Sequence, residues 1–502
     1  MIRNFKFALF CLVTAWPVGA AADVVTDWNS TLRKVIKDDG TANSPARADP
    51  GWSTRAATMM NTAMYDAFQS VNRTHKPFLY TPLTPGASET AAAAQAAHDV
   101  LLDVYPLQAD TINAALTATL TGLPNNQARL DGIQLGMDIA LDCVDDRFGD
   151  GALNTAPWPE GTLPGEWRSD PLHFPQTAWG PLWGVVKPFT YDHVDDYPAV
   201  PGPPELNSAA YTTAFNQVKQ WGAVNSASRA ANPDTTEIAL FWAYDRPAMG
   251  PPVVLFVDNL EKIAEAVGTT AAENARMFAM ASVASADAAV AAWDVKFDDN
   301  IWRPISAIRL AGTGGPGEVG GDGNDDTVGD PNWAPLGAPG NLSDQTSDDF
   351  TPPFPAYTSG HATMGSAWFN AVKLFLGTND FHEADGNFDA LGDSVEDHYT
   401  LTSEEFNSGP PRDYVRFIQD FTGDPNGILD LGEENSPEGE NAASRVYMGV
   451  HWIFDQVDGM ALGRAIADHV HATRFQAVPE PAAIVLAMFG VLATSVIRRA
   501  RA

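Results

Sequence analysis

Apolar residues recur at helical spacing along most of this chain. Residues 54–71 (TRAATMMNTAMYDAFQSV) carry apolar side chains three and four positions apart, as one face of an amphipathic helix does. The same pattern predicts helices at 87–105, 109–121, 126–147, 208–221, 235–244, 253–267, 270–296 and 362–377. Strand-like alternation of apolar and polar positions is hard to find. The pattern therefore predicts an all-α protein built from helix bundles.

Three stretches break the helical pattern. The mixed polar composition from Asp23 to about Trp52 predicts an extended arm. Residues 148–205 are dense in Pro, Gly and Trp and predict irregular packed loops that cross the bundle, while the Gly- and Asp-rich residues 311–345 predict a long surface loop. On this basis the chain divides into an N-terminal helical region with Pro/Trp-rich loops, 23–205, and a second helical domain, 206–477.

The first 22 residues have the pattern of a secretory signal. Arg3 and Lys6 give a positive start, residues 7–18 are apolar, and residues 19–22 are small. This order predicts cleavage just before Asp23 and export of the protein. A short buried helix is the alternative.

The other end of the chain carries a second targeting pattern. Residues 478–481 read VPEP, an apolar run follows at 482–497, and Arg498, Arg499 and Arg501 close the chain. An apolar helix with a basic cytoplasmic flank suits a membrane segment. The whole of residues 478–502 resembles the PEP-CTERM sorting signal of Gram-negative bacteria. That resemblance implies processing by an exosortase-type enzyme and delivery to the cell surface or outside. A plain C-terminal anchor without processing is the alternative, and in both cases the membrane is contacted only through this segment.

Charge and cysteine content narrow the function classes. The formal net charge is −33 and the pI is about 4.4, so the surface repels nucleic acid and we exclude a nucleic-acid partner. Cys11 lies in the predicted leader and Cys143 is then the single cysteine of the mature chain. An internal disulfide and a Cys-rich metal site are therefore excluded.

Three short segments between residues 293 and 455 combine cations, imidazoles and a Ser-Gly pair. They contribute Lys296 and Arg303, then Ser359, Gly360 and His361, then Arg445 and His451. Arginine offers charged donors in a fork, lysine offers a point charge, and backbone N–H groups at a helix start add further donors. Two imidazoles can serve as a nucleophile or ligand and as a general acid/base. The set suits a tetrahedral oxyanion.

The first of these segments leaves two interpretations open. Lys296 and Arg303 are seven residues apart and share a face on a continuous helix, although Pro304 favours a break at Arg303. In either arrangement both long side chains can converge on one anion. A solvated, charged helix end is the alternative.

The second and third segments have their own alternatives. Ser359, Gly360 and His361 precede a helix, whose free N–H groups and dipole attract an anion, but Ser359 alone suits an ordinary N-cap. Arg445 and His451 are six apart and do not share a helix face, so we place His451 pointing inward with Arg445 reaching over it. A lone histidine there is more often a packed core residue.

The combined pattern K-x6-R-P, S-G-H and S-R-x3-G-x-H resembles the superfamily of vanadium haloperoxidases and type 2 phosphatidic acid phosphatases. Trp293, Phe354 and the stretch FWAYD at 241–245 resemble the vanadium chloroperoxidase branch in particular. The resemblance covers roughly residues 235–460. It implies an all-α fold of two four-helix bundles that hold one vanadate. Thr358 departs from the family, which commonly has proline before Ser-Gly-His.

The resemblance also implies a role for each residue of the set. His451 would bind vanadium axially, and Lys296, Arg303 and Arg445 would neutralise the vanadate oxygens. Ser359 and Gly360 would donate hydrogen bonds to those oxygens, and His361 would be the acid/base. Asp245 would pair with Arg445, and Trp293 and Phe354 would shape the side of the site where halide binds. Phe354 leans towards the chloride-oxidising subgroup.

Three functions remain open on the sequence. The first is an exported vanadium-dependent haloperoxidase that oxidises halide with hydrogen peroxide to a hypohalous species. The second is an acid phosphatase in which His451 attacks a phosphomonoester and His361 protonates the leaving group. The third is a non-catalytic surface or matrix protein on the same scaffold.

Acidic residues also suggest Ca²⁺ sites. Asp322, Asn324, Asp325 and Asp326 are one candidate, and residues 424–433 are a weaker one, with solvated acidic loops as the commoner alternative.

Overall fold

The computed structural model describes residues 23–41, 50–173, 176–246, 249–311, 321–339, 349–385, 398–405, 410–419 and 436–479. The predicted secretory signal, nearly all of the predicted sorting signal and the weaker Ca²⁺ candidate lie outside these residues. The division into domains 23–205 and 206–477 stays a prediction.

The described residues are mainly helical. The helices are α1 (Val24–Thr41), α2 (Pro50–Val71), α3 (Glu89–Val104), α4 (Ala109–Thr121), α5 (Gln127–Asp146), α6 (Ala209–Trp221), α7 (Ala227–Ala231), α8 (Asp234–Phe241), α9 (Val253–Val267), α10 (Ala271–Asp299), α11 (Pro304–Leu310), α12 (Gly360–Leu376), α13 (Phe381–Asp385), α14 (Pro437–Tyr447) and α15 (Ile453–Thr473). Two three-residue strands, β1 (Tyr399–Leu401) and β2 (Arg412–Tyr414), pair in antiparallel register. The prediction of an all-α helix-bundle fold is confirmed.

The predicted extended arm at residues 23–52 is wrong, because this stretch forms α1 and the start of α2. Val25, Trp28, Leu32 and Val35 are each at most 1% exposed and line one face of α1. Their spacing of three, four and three residues is the signal of an amphipathic helix. Most polar residues between them are at least partly exposed and gave the stretch its mixed composition, whereas Asn29 is buried and bonds Asn61 of α2.

Helix α10 lies between two groups of helices. It packs against α2 on one side, and α2 packs in turn against α3 and α5; on the other side α10 packs against α12 and α15. Polar contacts tie α10 to α2, since Thr58 Oγ1 and Asn61 Nδ2 donate to the Ser282 carbonyl and hydroxyl at 2.8 and 3.0 Å. Among the described residues α10 is also the helix with the length and hydropathy to cross a membrane, but 89% of its apolar window is buried within the protein. Its apolar composition therefore serves the core.

The described residues of the Pro/Trp-rich stretch 148–205 are irregular apart from two three-residue 3-10 helices, Trp183–Val185 and Val194–Asp196, and Trp167 and Trp183 are buried, as the prediction of packed loops requires. Asp287, buried at the middle of α10, fixes part of this stretch. Its carboxylate accepts hydrogen bonds from Phe189 N at 2.7 Å, Thr190 N at 3.1 Å and Tyr197 Oη at 3.4 Å. These bonds satisfy backbone groups that would otherwise be buried without partners.

The crossing of α12 and α15 depends on two glycines of α15. A Cβ at Gly459 would lie 2.8 Å from Thr363 Oγ1, and a Cβ at Gly463 would lie 2.1 Å from Thr363 O and 2.9 Å from Ala367 N. Backbone atoms cannot move aside as the end of a flexible side chain can. Glycine at these positions is therefore required for α15 to lie this close to α12. The crossing fixes the N-terminal turn of α12, where the candidate site lies.

We expect Gly463→Ala to lower the free energy of unfolding by about 1 kcal/mol net, since overpacking a core typically costs about 1–3 kcal/mol. That cost exceeds the gain of about 1 kcal/mol that alanine brings in a helix. Urea denaturation measures the difference. Gly122→Ala is the control, because Gly122 has a helical φ of −72° and its Cβ would meet nothing closer than Thr119 O at 3.5 Å. Equal stability of the two variants would contradict the close-packing argument.

Candidate active site

The three sequence segments converge at the N-terminus of α12. Lys296 lies in the last turn of α10, Arg303 directly precedes α11, and Arg445 lies in the last turn of α14. His451 stands in the connection between α14 and α15, and Ser359 is the N-cap of α12. The structure brings every predicted ligand residue into one buried cluster.

Lys296 is fully buried and surrounded by carbonyl oxygens. Its Nζ donates to Pro355 O at 3.1 Å, to Ala356 O at 3.0 Å and to Thr358 O. The departure from the family's proline at Thr358 thus leaves the main-chain acceptor in place. Burial, and then the charge of Arg303, hold the pKa of Lys296 well below its ordinary value.

Arg303 lies between the backbone of Phe354 and the side chain of His451. Because α10 ends at Asp299 and Asn300 has a left-handed φ of 50°, Lys296 and Arg303 are on different helices, as the proline suggested. Arg303 Nε donates to Phe354 O at 2.8 Å, and Nη1 donates to Val450 O at 2.8 Å. Burial is the main cause that lowers its pKa to about 9.

His451 has one unprotonated ring nitrogen, Nε2, which is directed towards Arg303. Its Nε2 lies 2.8 Å from Arg303 Nη1, and its Nδ1 lies 2.8 Å from Asp455 Oδ2. Because the guanidinium only donates, Nε2 carries the lone pair and the proton sits on Nδ1. Burial first, and then the three neighbouring cations, hold the pKa of His451 well below its ordinary value. The imidazole is therefore neutral, as a ligand or nucleophile must be.

Asp455 is a site residue that the sequence reasoning missed. It is fully buried, accepts from His451 Nδ1 and from Trp452 N at 3.0 Å, and its pKa is raised to about 7 by burial. The sequence did contain a signal for this contact, because an aspartate follows the candidate histidine by four residues and a helix begins between them. This contact fixes the tautomer and orientation of the imidazole.

A second group of polar contacts joins His361, Arg445 and Asp245. It is separate from the contacts of His451 with Arg303 and Asp455. His361 Nε2 lies 2.9 Å from Ala243 O, an acceptor, and 3.2 Å from Arg445 Nη1, a donor. Arg445 donates from Nη2 to Asp245 and from Nη1 to Ala243 O at 3.2 Å. Burial and then the Arg445 charge lower the pKa of His361 to about 3. The ring is neutral near pH 7 and can accept a proton.

The placement of Arg445 differs from the one predicted. We expected Arg445 to reach over His451, but α14 ends at Tyr447 and the chain turns at Gly449, whose φ is 75°. Arg445 therefore faces His361, and Arg303 is the cation in contact with His451. The prediction assumed one straight helix from Arg445 to His451, and that assumption fails because the helix ends between the two residues.

The loop that carries Asp245 is held by residues next to β1. Ser403 Oγ donates to Phe241 O at 2.7 Å, and Glu404 N donates to Tyr244 Oη at 2.8 Å. Tyr244 has a left-handed φ of 40°, a strained value for a bulky residue. These contacts hold the strained turn that presents Asp245 to Arg445.

Ser359 and Gly360 shape the helix end. Ser359 Oγ accepts from Ala362 N at 3.4 Å, so the N-cap interpretation is correct, and the hydroxyl proton remains available to another acceptor. A Cβ at Gly360 would lie 3.0 Å from the Trp293 ring. The missing side chain lets this indole lie against the first turn of α12.

Aromatic rings close one side of the cluster. The Trp293 and Phe354 ring centres are 5.1 Å apart, and the Phe354 ring lies 5.2 Å from Lys296 Nζ and 4.8 Å from Arg303 Cζ. Trp179, which the sequence reasoning treated only as loop packing, lies 5.8 Å from Phe354. Apolar rings beside buried cations exclude water and strengthen the field that acts on an anion.

The charges of the cluster favour an anion. Three cations, Lys296, Arg303 and Arg445, are at most 1% exposed, and the carboxylates near them are Asp245 and Asp455. Two buried donors, Arg303 Nη2 and Arg445 Nε, have no hydrogen-bond partner in the described part of the chain. Unpaired charged donors are costly to bury, so an oxyanion between them would restore the lost hydrogen bonds.

The Ca²⁺ candidate at residues 322–326 gains no support. Asp322 accepts from Asn324 N at 3.1 Å and from Thr327 Oγ1 at 2.6 Å, and Asn324 Nδ2 donates to Leu206 O at 2.7 Å. These side chains stabilise the loop itself. Over the residues the structure describes, no group of three or more His, Cys, Asp or Glu side chains is arranged to hold a metal ion.

Comparisons with known proteins agree with the geometry. Residues 276–479 match the family model of the VCPO second helical-bundle domain, a range that contains Lys296 to His451 but not Asp245. Vanadium chloroperoxidase of Curvularia inaequalis is 32% identical over 280 residues, which cover 50% of this chain and 42% of that protein. The alignment therefore spans less than half of that relative's length.

Solved structures extend the similarity of fold to nearly the whole chain. The crystal structure of the first bacterial vanadium-dependent iodoperoxidase gives a TM-score of 0.65 at 19% identity and covers 93% of this chain and 99% of that one. An apo-type bacterial vanadium-dependent chloroperoxidase gives 0.56 at 15% identity and covers 85% and 93%. The chain therefore has the helix-bundle fold of these solved structures, and its residues 276–479 match the VCPO second helical-bundle domain.

Proposed function

We propose that this protein is a vanadium-dependent haloperoxidase that oxidises halide with hydrogen peroxide to a hypohalous species. The observation that carries the proposal is the cluster of three buried cations, of which Arg303 contacts His451 Nε2, with unpaired donors on Arg303 and Arg445. Three positive charges and an available imidazole nitrogen suit a multiply charged oxyanion that also takes a nitrogen ligand.

Vanadate fits this donor set. His451 Nε2 would bind the vanadium; Lys296, Arg303 and Arg445 would neutralise the oxygens; and Ser359 with the Gly360 backbone would donate further hydrogen bonds. Bound vanadate supplies the Lewis acid that activates hydrogen peroxide towards halide. The protein supplies proton transfer, orientation and exclusion of water. His361 holds or accepts a proton, while Asp245 positions Arg445 and Asp455 positions His451. Trp293 and Phe354 exclude water on the side where halide binds.

The acid phosphatase is the second candidate, because the same residues suit a phosphoryl group. In that reaction His451 Nε2 would be the nucleophile, and His361, which contacts Arg445 of the same cluster, would have to carry the proton for the leaving group. The aromatic wall of Trp293 and Phe354 beside the cations favours the haloperoxidase, and so does the similarity to vanadium chloroperoxidase. A non-catalytic surface or matrix role is not favoured, since the ligand residues are retained and assembled.

We further propose that the protein is exported and sorted through its two ends. The support is the apolar and basic pattern of residues 1–22 and the VPEP motif with its apolar run at 478–502. An exosortase-type enzyme is the proposed processing partner. Mass spectrometry of the protein recovered from its native host would give the mature ends; termini at Met1 and Ala502 would contradict the proposal.

The central experiment compares two reactions on purified residues 23–477. With vanadate added, bromide- and peroxide-dependent halogenation of monochlorodimedone is measured; without vanadate, hydrolysis of p-nitrophenyl phosphate is measured. We expect halogenation that requires vanadate. Phosphate release that vanadate inhibits, with no halogenation, would instead assign the protein to the phosphatases.

Asp455→Asn is expected to weaken vanadate binding about 10- to 100-fold, the usual effect of losing a partner that orients a metal-binding histidine. The amide no longer supplies a charged acceptor for the proton on His451 Nδ1. Ultrafiltration with vanadate measures the dissociation constant. Asp458→Asn is the matched control, since Asp458 is on the same helix and bonds Tyr357 Oη at 2.9 Å instead of His451. A similar loss in both variants would show that helix charge, and not the contact to His451, is responsible.

A further inference from the structure

Trp179 lies at the outer edge of the aromatic wall. Its indole is half-buried, and its ring is tilted by 34° against Phe354 at 5.8 Å. Phe354 in turn contacts Lys296 Nζ and Arg303 Cζ at 5.2 and 4.8 Å. A partly exposed indole therefore stands one ring away from the buried cations.

The chain around Trp179 is fixed against the site. Trp179 N donates to Pro353 O at 2.9 Å, next to Phe354. The following residue, Gly180, has a left-handed φ of 70°, and a Cβ there would lie 2.6 Å from Trp293 Nε1. A residue with a side chain would be strained in this turn and would collide with Trp293, so the turn favours glycine. Both Trp179 and Trp293 contact the Phe354 ring, at 5.8 and 5.1 Å. The indole is therefore a positioned wall of the site.

We propose that Trp179, with Phe354 behind it, is the stacking site for a planar, electron-rich aromatic molecule that accepts the halogen. This inference rests on the proposed haloperoxidase function. Trp293 and Phe354 are the rings in contact with the buried cations, and Trp179 is the next ring outward from Phe354 and is partly exposed. An aromatic molecule that stacked on this indole would gain more than its buried area alone provides.

The chemistry of the acceptor is balanced without a further reactant. The hypohalous species of the proposed reaction meets the stacked ring, the oxygen–halogen bond breaks, and a carbon–halogen bond forms on the ring. The displaced ring proton joins the released hydroxide and leaves as water. Electron-rich rings, such as those of naphthols and phenols, supply the electron pair that this substitution needs.

The first test compares two halogen acceptors in the vanadate-loaded full enzyme. For Trp179→Ala we expect the KM for 2-naphthol to rise about tenfold, in line with the loss of one aromatic stacking contact. The KM for monochlorodimedone, a non-aromatic diketone, should change much less, and Trp179→Phe should restore most of the naphthol KM. Equal effects on both acceptors, or no effect on either, would overturn the proposal.

The second test does not depend on turnover. Saturation-transfer NMR of vanadate-free protein with 2-naphthol should show transfer to the naphthalene ring in the wild type and in Trp221→Ala, and lose most of it in Trp179→Ala. Trp221 is a matched control, because it is also half-buried but packs against Tyr447 at 5.9 Å. If wild-type enzyme does not oxidise iodide to triiodide, the haloperoxidase function fails, and the NMR result still decides aromatic binding. Normal iodide oxidation with an unchanged naphthol KM and NMR signal in Trp179→Ala would reject the stacking site alone.

Discussion

Replacing His451 with alanine is expected to abolish vanadate binding and, with it, halide oxidation. The imidazole is neutral, its Nδ1 proton is directed to Asp455, and its Nε2 lone pair faces the cation cluster next to Arg303. The remaining residues can still attract an oxyanion by charge and hydrogen bonds, but they offer no nitrogen to the metal. We therefore expect the vanadate dissociation constant to rise at least about 100-fold, the upper end of the effect expected for losing a residue that only orients a ligand.

Three measurements make this prediction specific. Ultrafiltration gives vanadate binding, and circular dichroism reports whether the helices persist. Added imidazole should restore part of the binding if an imidazole nitrogen is what the site has lost. His98→Ala is the control for removing a buried histidine, because His98 lies on α3 and bonds Asp99 and Asn113. Tight vanadate binding by folded His451→Ala protein would remove His451 from the ligand role.

The sequence was most informative where local chemistry and local geometry coincide. The turn at Ser359 and Gly360 could be placed at a helix start because a proline-rich lead-in precedes a clear amphipathic run, and the structure begins α12 at Gly360. Pro304 likewise suggested a helix break, and the break separates Lys296 from Arg303. In both places one or two residues limit the backbone by themselves.

The sequence was least informative where the site depends on contacts between distant segments. Arg303 contacts His451, 148 residues away, only because α10 and α14 both end near the start of α12. Trp179 reaches Phe354 through an irregular stretch that has no periodicity to read. Asp455 was missed because an acidic residue at a helix start is also an ordinary capping residue, as it is here for Trp452 N.

His361→Ala is expected to retain vanadate binding and lose most halogenation, with kcat falling about 100- to 10,000-fold, the usual contribution of a general acid/base. The contacts of His361 are with Ala243 O and Arg445, whereas His451 is held separately by Arg303 and Asp455. Removing the His361 ring therefore leaves the proposed metal ligand and its support in place. It removes the ring that the proposed function uses to hold or accept a proton. In the vanadate-free protein, where no bound anion balances the neighbouring cations, burial and then the Arg445 charge lower the pKa of this ring to about 3.

The two histidine variants together separate binding from proton transfer. His361→Ala should match the wild type in vanadate ultrafiltration and fail in the monochlorodimedone assay, whereas His451→Ala should fail in both. His361→Gln distinguishes proton transfer from simple packing, because an amide can fill much of the space and donate to Ala243 O but cannot act as a base near pH 7. A glutamine variant as slow as the alanine variant supports the acid/base role. Recovery of most of the rate by glutamine would make His361 a positioning residue for Arg445, and an unchanged rate in both variants would exclude it from catalysis.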